Sequence, residues 1–307
     1  MMLRQLIKIG VVLGVLGLGV FWYLTMPQQL AADDLPAHTA DAERGEYIFA
    51  AGGCSSCHAA PDAKGDDKLL LAGGHRFETE FGTFIAPNIS PDPTAGIGSW
   101  TQLAFVNALT RGVSPDGAHY YPAFPYTSYS KAKLTDVLDL KAYMDTLPRV
   151  AEAAPPNEIG FPFNIRRGMG LWKVLFADFS PFEADPSSSE QVNRGAYLVN
   201  ALGHCGECHT PRNLLGATDQ TLALAGAPNP DGKGFIPNIT PHSDGLGSWS
   251  AEDIAYALES GFTPDFDSLG GSMAAVVENT AKLTAQDRDA IAAYLKSVPE
   301  YAKIQTQ

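Results

Sequence analysis

The sequence has few cysteines and little positive charge. Lysine and arginine number 21 against 34 aspartates and glutamates, so the 307 residues carry a formal net charge of -13. Nucleic-acid binding requires a basic face, which this composition disfavours, whereas an acidic surface favours a positively charged protein partner. With 45% hydrophobic and 18% charged residues, the chain is expected to fold as a loop-rich globular protein. Its length predicts about two domains.

The four cysteines fall in two Cys-x-x-Cys-His motifs, and none is left over. This motif attaches c-type haem. Cysteines at i and i+3 on one helical turn point to the same side, so both thiols can bond one haem edge while the histidine turns toward the iron. The sequence therefore predicts two covalently attached haems. The predicted attachment residues are Cys54, Cys57, Cys205 and Cys208, and the predicted iron ligands are His58 and His209.

Paired cysteines also occur in zinc, iron–sulfur and thioredoxin-like sites. Zinc and iron–sulfur sites require four converging ligands, and each half of this chain has only two cysteines. A thioredoxin-like pair requires a βαβ context that the sequence does not indicate. Haem is the interpretation that these patterns favour.

Residues 9–26 form an apolar run with Thr25 as its one polar side chain. This run is just long enough to span a bilayer. Arg4 and Lys8 precede it and two aspartates follow it, so the positive-inside rule leaves the amino end in the cytoplasm and exports the rest. We expect residues 1–30 to be an uncleaved anchor, with a cleaved signal peptide as the alternative. Either interpretation places the rest of the chain on the far side of a membrane.

The two halves of the chain repeat each other. Residues 44–47 (Arg-Gly-Glu-Tyr) return as residues 194–197 (Arg-Gly-Ala-Tyr), and residues 87–91 (Pro-Asn-Ile-Ser-Pro) return at 237–241, both 150 positions later. We predict one haem domain at 39–150, a second at 189–301, and between them an apolar linker, 151–188, that packs on the domains rather than acting as a flexible tether.

Local signals make each half helical. Ser250 and Asp253 form a capping box, and Gly261 ends the helix that it opens. Thr101 and Gly112 bracket the counterpart in the first half, and Thr284 begins a last helix that Pro299 stops. Further helices are expected at about 42–50 and 191–201, leading into the cysteine motifs. Because no strand-like alternation competes, the predicted fold class is all-α.

A sixth iron ligand is predictable for the second haem only. Met273 lies ten residues before Leu283, in the loop expected before the last helix, where a thioether would favour ferrous iron. The aligned position in the first half is occupied by residues 122–124, with Phe124 opposite Met273 in the ungapped alignment. The candidates left open for haem 1 are His119, Lys131, Lys133 and Met169, and the site could also have no sixth ligand.

Four other histidines receive no ligand role. His38 and His242 lie in polar stretches and are expected to be solvated. His75 follows two glycines and is expected to belong to a loop. His204 has no counterpart before Cys54 and is interpreted as part of the haem environment.

The motifs together resemble the cytochrome c subunits of membrane-bound alcohol, aldehyde and gluconate dehydrogenases. The resemblance rests on the repeated Arg-Gly-x-Tyr and Pro-Asn-Ile-Ser/Thr-Pro motifs, on Gly-x-Gly-Ser-Trp at 96–100 and 245–249, and on residues 121–126 (Tyr-Pro-Ala-Phe-Pro-Tyr). It implies two tandem cytochrome c domains on the periplasmic side of a bacterial inner membrane, which pass electrons from a dehydrogenase or quinol toward an acceptor such as a terminal oxidase. By analogy with the proline carbonyl of cytochromes c, Pro87 and Pro237 are expected to accept hydrogen bonds from the axial histidines.

Two functional hypotheses remain at this point. The first is an electron carrier whose acidic surface attracts a redox protein with a basic docking face. The second is a diheme redox enzyme, peroxidase-like or sulfur-oxidising, in which haem 1 has an open or labile sixth position. The missing methionine near Phe124 motivates the second, and the missing acid–base constellation favours the first.

Overall fold

The computed structural model describes residues 2–229 and 234–302, and it is mostly helical, as predicted. The α-helices of the described residues are α1 (Met2–Leu24), α2 (Ala42–Ala51), α3 (Cys54–His58), α4 (Gln102–Arg111), α5 (Tyr126–Tyr129), α6 (Leu134–Met144), α7 (Gly168–Phe176), α8 (Glu190–Tyr197), α9 (Gly206–His209), α10 (Ala251–Ser260), α11 (Ser272–Thr280) and α12 (Ala285–Ser297). The expected helix at 191–201 is α8 continued by a π-helical turn, Leu198–Leu202.

Side-chain caps begin several helices of both halves. The Thr101, Ser189 and Thr284 hydroxyls accept backbone N–H bonds at the starts of α4, α8 and α12, and Ser250 and Asp253 form the predicted capping box of α10. Gly112 and Gly261 end α4 and α10 in the left-handed region, with φ of 59° and 77°. These predicted boundaries are confirmed.

Five short strands among the residues that the structure describes were not expected from the sequence. They are β1 (Arg76–Thr79), β2 (Gly82–Ile85), β3 (Glu158–Ile159), β4 (Ala227–Pro228) and β5 (Phe235–Ile236). The linker strand β3 pairs antiparallel with β2, with Gly82 opposite Ile159, and β4 pairs with β5. Segments of two to four residues are too short to show a period of two, which is why the sequence did not reveal them.

Two helix crossings form the framework of the two halves. Helix α2 packs on α6, and α8 packs on α12 in the same way. At these crossings a Cβ on Gly45 would lie 2.0 Å from the carbonyl oxygen of Asp139, and one on Gly195 would lie 1.9 Å from that of Ala290. Glycine is therefore required where the helices touch, and the repeated Arg-Gly-x-Tyr motif supplies it.

The same motif connects the two halves. The Tyr197 hydroxyl donates to Oδ2 of Asp136 at 2.6 Å, and the Tyr47 hydroxyl donates to Oδ2 of Asp287 at 2.5 Å. Each tyrosine thus reaches across to an aspartate of the other half. The two bonds are related by the sequence repeat, so the halves face each other with approximate twofold symmetry.

Each of these aspartates also pairs with an arginine of its own half. Arg44 pairs with Asp136, and Arg194 pairs with Asp287 through two hydrogen bonds of 2.6 and 2.8 Å. One continuous hydrophobic core, which includes Ile48 and Ile291, runs through both halves.

The linker packs on the first half through α7. The Lys173 ammonium donates to the carbonyl oxygens of Arg111 and Gly112, both at 2.7 Å, and lies 4.6 Å from the centre of the Tyr126 ring. Burial lowers the pKa of Lys173 to about 7. Trp172 is also buried, and its Nε1–H donates to the carbonyl of Leu215 at 2.9 Å.

Helix α1 is apolar and long enough to cross a membrane, and its residues are exposed. The residue that follows the helix packs closely against the rest of the protein. Thr25 is fully buried: His119 Nε2 donates to its carbonyl at 3.0 Å, and Arg167 Nε donates to its hydroxyl at 2.8 Å. A Cβ on Gly170 of α7 would lie 2.7 Å from the Thr25 Cα, so these two segments are in close contact.

Candidate haem sites

Both cysteine motifs lie on short helical turns. Cys54 and Cys57 belong to α3, which begins after Gly53 in the left-handed region (φ 59°). Cys205 is the N-cap of α9, which contains Cys208. Each pair therefore lies at i and i+3 on one turn, the arrangement in which two thiols face the same edge of a ligand.

The two motif histidines make matching bonds to the chain. Nδ1 of His58 lies 2.9 Å from the carbonyl oxygen of Pro87, and Nδ1 of His209 lies 2.8 Å from that of Pro237. A carbonyl can only accept, so each Nδ1 carries the proton and each Nε2 keeps its lone pair for a metal. The predicted proline contacts are confirmed, and this tautomer fits a haem iron.

Close backbone packing holds each proline beside its histidine. The N–H of Gly73 donates to the carbonyl of His58 at 2.7 Å, and the N–H of Gly226 donates to that of His209 at 2.8 Å. Gly73 has φ of 74°, and a Cβ there would lie 2.5 Å from the Ala86 carbonyl oxygen. Strands β2 and β5 then lead directly into Pro87 and Pro237. The unexpected strands therefore position the histidine acceptors.

Burial keeps the groups of these sites uncharged. It raises the pKa of the Cys54 and Cys205 thiols to about 12 and that of Cys57 to about 11. Burial also lowers the pKa of His58 and of His209, against the opposing effect of their proline carbonyls. Neutral imidazole is the form that binds a metal.

The two attachment segments, residues 52–58 and 204–209, meet at the contact between the halves. The carbonyl oxygen of Gly52 accepts from the Tyr129 hydroxyl at 3.0 Å and lies 3.3 Å from Nε2 of His204. Cys208 is close enough to Cys57 to contribute to its raised pKa. His204 therefore joins the second attachment segment to the first. The sequence did not reveal this role, because it showed only that His204 has no counterpart before Cys54.

Met273 lies in the first turn of α11 and not in a loop, because residues 272–280 are helical, and its side chain is partly buried. This helix reaches the first half: Ser56 of α3 donates to the carbonyl of Ala275 at 3.3 Å, and the Asn279 amide donates to the Ser56 hydroxyl at 2.8 Å. The helix that carries the candidate ligand of haem 2 thus packs on the attachment helix of haem 1.

The candidates for the sixth position of haem 1 lie in different surroundings. Met169 packs in one apolar cluster with Phe124 and Tyr126. His119 is buried and bonded to Thr25, with no partner for its Nδ1 among the described residues. The Lys133 ammonium lies 5.4 Å from the centre of the Tyr197 ring, at the interdomain contact. Lys131 is partly buried.

One of the histidines expected to be solvated also pairs with a buried carboxylate. His38 is exposed, as expected, and its Nε2 lies 2.5 Å from Oδ1 of Asp139, a fully buried carboxylate at the α2–α6 crossing. His75 packs edge-on against Phe77. His242 is partly exposed, and its Nδ1 accepts from the Asp244 N–H at 3.1 Å.

Comparison with known proteins agrees with this geometry. The family profile "Cytochrome c" matches residues 42–148 and 192–299, two tandem regions that each contain one Cys-x-x-Cys-His motif. A diheme cytochrome c-type protein of Cereibacter sphaeroides is 53% identical over 298 residues, covering 97% of this chain and 99% of that protein.

Subunits of dehydrogenases are also similar. The fructose dehydrogenase cytochrome subunit of Gluconobacter japonicus is 40% identical over 87% of this chain and 54% of its own length. The cytochrome c subunit of the quinone alcohol dehydrogenase of Gluconacetobacter polyoxogenes is 37% identical over 86% of this chain and 57% of its own length. The chain thus spans little more than half of these two subunits.

The predicted resemblance is confirmed, and two covalently bound c-type haems follow from the two matched regions and their cysteine spacing. On the profile match and the diheme relative together, the chain belongs to the cytochrome c family.

Proposed function

We propose that the protein is a membrane-anchored, periplasmic electron carrier. It would pass electrons between a dehydrogenase or quinol donor and a downstream acceptor such as a terminal oxidase. The observation that carries the proposal is the shared carbonyl of Gly52, which brings the two attachment segments together. When bound, haem supplies an iron that alternates between the ferric and ferrous states. The names of the dehydrogenase subunits among the relatives support a dehydrogenase as donor.

We assign the predicted site residues to these haems. Cys54 and Cys57 attach haem 1, and Cys205 and Cys208 attach haem 2. His58 and His209 are the proximal ligands, because their Nδ1–H groups are held by proline carbonyls and their Nε2 atoms are left for iron. Met273 is the sixth ligand of haem 2.

For haem 1 we propose Met169 as the sixth ligand. Its side chain packs in the cluster of Phe124, the residue that occupies the methionine position of the repeat. It lies one position before Gly170, which fixes α7 against Thr25. The linker would thus supply the thioether that the first domain lacks. His119 is the competing ligand, because its Nδ1 is buried without a partner among the described residues.

Magnetic circular dichroism of the ferric full-length protein tests these ligands. Met273→Leu and Met169→Leu should each remove half of the near-infrared band that arises from iron–thioether coordination, and His119→Gln should leave the band intact. A wild-type band that corresponds to a single methionine-ligated haem, together with a bis-histidine signal lost in His119→Gln, would replace Met169 by His119.

We also propose that α1 is retained as an anchor. Cleavage after the apolar run would remove the Thr25 carbonyl and hydroxyl that His119 and Arg167 bind. Trp22 is held as well, since Arg167 donates to its carbonyl at 2.7 Å and lies 4.0 Å from the centre of its ring. Beside this junction, Leu171, Val174 and Leu175 form an exposed apolar stripe on α7 that a bilayer surface would cover. The intact mass of the membrane-extracted protein tests retention: a mass that lacks the first 25 or more residues would contradict it.

Reduction and mixing experiments test the carrier function. The dithionite-reduced protein should show two low-spin haems and should reduce a basic soluble cytochrome c at a rate that falls steeply as salt is added, because the net charge is -13. A rate that does not depend on salt would contradict the proposed basic partner.

The alternative is a diheme redox enzyme with an open or labile position at haem 1. The specific observation for it is Phe124, which lies where the repeat has Met273. Rapid carbon monoxide binding to one of the two reduced haems would support this alternative. A fully low-spin, unreactive ferrous protein would exclude it.

A further inference from the structure

An apolar patch is exposed on the second domain. We define the Phe266 patch as Tyr256, Phe262, Pro264 and Phe266. Tyr256 is 56% exposed, Phe262 49% and Phe266 92%. Together with Asp253 and Thr263 these residues line a shallow cavity of about 430 Å³. Contiguous apolar surface of this kind usually marks an interaction site.

The corresponding surface of the first domain is covered by the chain itself. At the offset of 149, Phe262 corresponds to Val113 and Tyr256 to Asn107. Val113 is 1% exposed, and Asn107 is buried and bonded to the backbone of Leu30 in both directions. Helix α7 of the linker covers this face of the first domain through the Lys173 bonds to the end of α4. In the described residues, no segment covers the second domain in this way.

Phe266 adopts an unfavourable backbone conformation, and its side chain is not packed against the rest of the protein. Its φ is 63°, in the left-handed region, where its counterpart Gly117 has φ of 79°. A side chain other than glycine is disfavoured there. The ring is almost fully exposed, so the fold of the free protein gains little burial from it. A binding partner would give this phenylalanine the burial that the chain does not.

The charges around the patch indicate the kind of partner. Asp265 and Asp267 flank Phe266, Glu252 and Glu259 lie on the neighbouring surface of α10, and of these Glu259 pairs with Arg288 at 2.8 Å. An acidic rim repels a second copy of this acidic chain and an anionic membrane surface. It complements a protein whose apolar contact is surrounded by lysine or arginine.

The patch is continuous with the loop that leads to the candidate ligand of haem 2. Phe262 and Ser268 form a β-bridge, and the Leu269 N–H donates to the carbonyl of Gly261 at 2.7 Å. Met273 follows four residues later. A protein bound at the patch would therefore contact the loop that leads to Met273.

We propose that the Phe266 patch is the docking site of a basic redox protein that exchanges one electron with haem 2. In each encounter one electron leaves the ferrous iron of haem 2, which becomes ferric, and the partner's ferric centre becomes ferrous. The proposal rests on the electron-carrier function proposed above. It adds the surface through which the second domain reaches its partner.

Replacing Phe266 by the residue of the first repeat provides a sharp test. The full-length protein in detergent is reduced and mixed by stopped flow with ferric mitochondrial cytochrome c, a basic haem protein, and separately with ferricyanide. Phe266→Gly should lower the second-order rate with the cytochrome by about tenfold or more, as removal of a central aromatic contact does. The ferricyanide rate should not change. The thermal midpoint should stay equal or rise, because glycine relieves the strained φ.

Two further variants complete the design. Asp265→Asn should flatten the salt dependence of the cytochrome rate, because one rim charge is lost. Phe161→Ala removes a phenylalanine that is 82% exposed on the linker and should not change the rate. A wild-type rate that is fast and salt-dependent but unchanged in Phe266→Gly would overturn the docking site alone. A wild-type rate without salt dependence would overturn the proposed basic partner itself.

Discussion

The reciprocal tyrosine–aspartate bonds predict how strongly the two domains depend on each other. Tyr197 is 2% exposed, and its hydroxyl donates to the fully buried Asp136 while accepting the Lys133 N–H at 3.0 Å. Tyr197→Phe leaves this N–H without its acceptor, and it leaves Arg44 as the remaining hydrogen-bond donor to Asp136 among the described side chains. A buried hydrogen bond to a charged group contributes about 1.5–3 kcal/mol, so we expect a loss of about 2 kcal/mol in the free energy of unfolding.

Tyr47→Phe is the matched variant. Its hydroxyl makes the related bonds, to Asp287 and from the Thr284 N–H, but Tyr47 is only half-buried. Water can replace part of what is lost, so the expected cost is about 1 kcal/mol or less. The two variants therefore differ in burial and not in chemistry.

Urea unfolding of the haem-loaded protein, followed by far-ultraviolet circular dichroism, measures both losses. Wild type should unfold in one transition, because one core runs through both domains. In the double variant the transition should broaden or divide, since both symmetric contacts are gone. A Tyr197→Phe loss equal to or smaller than that of Tyr47→Phe would refute the argument from burial.

Three further predictions concern other parts of the structure. Gly195→Ala should lower the free energy of unfolding by about 2 kcal/mol or more, because its Cβ would meet the carbonyl oxygen of Ala290 at 1.9 Å. Gly160→Ala, where the added Cβ would have no atom within 4 Å, should have little effect. Burial raises the pKa of Asp287, but hydrogen bonds from Arg194 and Tyr47 outweigh this effect and hold the pKa below the ordinary value of 3.8. The stability advantage of the wild type over Asp287→Asn should therefore be full above about pH 4 and disappear as the pH falls through the lowered pKa. Unfolding experiments at a series of pH values measure this dependence. Lys173→Met should remove the bonds to the end of α4, so limited proteolysis should cut the linker several-fold faster than in wild type.

Much of the helical framework follows from local signals. The capping box at Ser250, the hydroxyl cap of Thr284 and the glycine end at Gly261 depend on residues three or four positions apart, and the structure confirms all three. The proline carbonyls that hold His58 and His209 were also predictable, because the motifs around Pro87 and Pro237 resemble the proline motif of cytochromes c.

Contacts between distant segments were not predictable in this way. The sequence showed that Arg-Gly-x-Tyr recurs, but it could not show that each tyrosine reaches the aspartate of the other half. Similarly, His38 lies in a polar stretch, yet its partner Asp139 is about a hundred residues away and is buried against α2. The burial of Thr25 depends on Arg167 and on Gly170 of the linker, which no local pattern near residue 25 indicates.

The approximate symmetry of the two domains has a consequence for their origin. A contact in which residue i of one copy meets residue j of the other, and j meets i, is the isologous contact of a twofold homodimer. The pairs Tyr47–Asp287 and Tyr197–Asp136 have this form within one chain. A single-haem ancestor with one tyrosine and one aspartate at these positions could therefore pair with itself through the same two bonds. Fusion of such a dimer would let each copy change alone, and the two copies now differ at Phe124 and at Phe266.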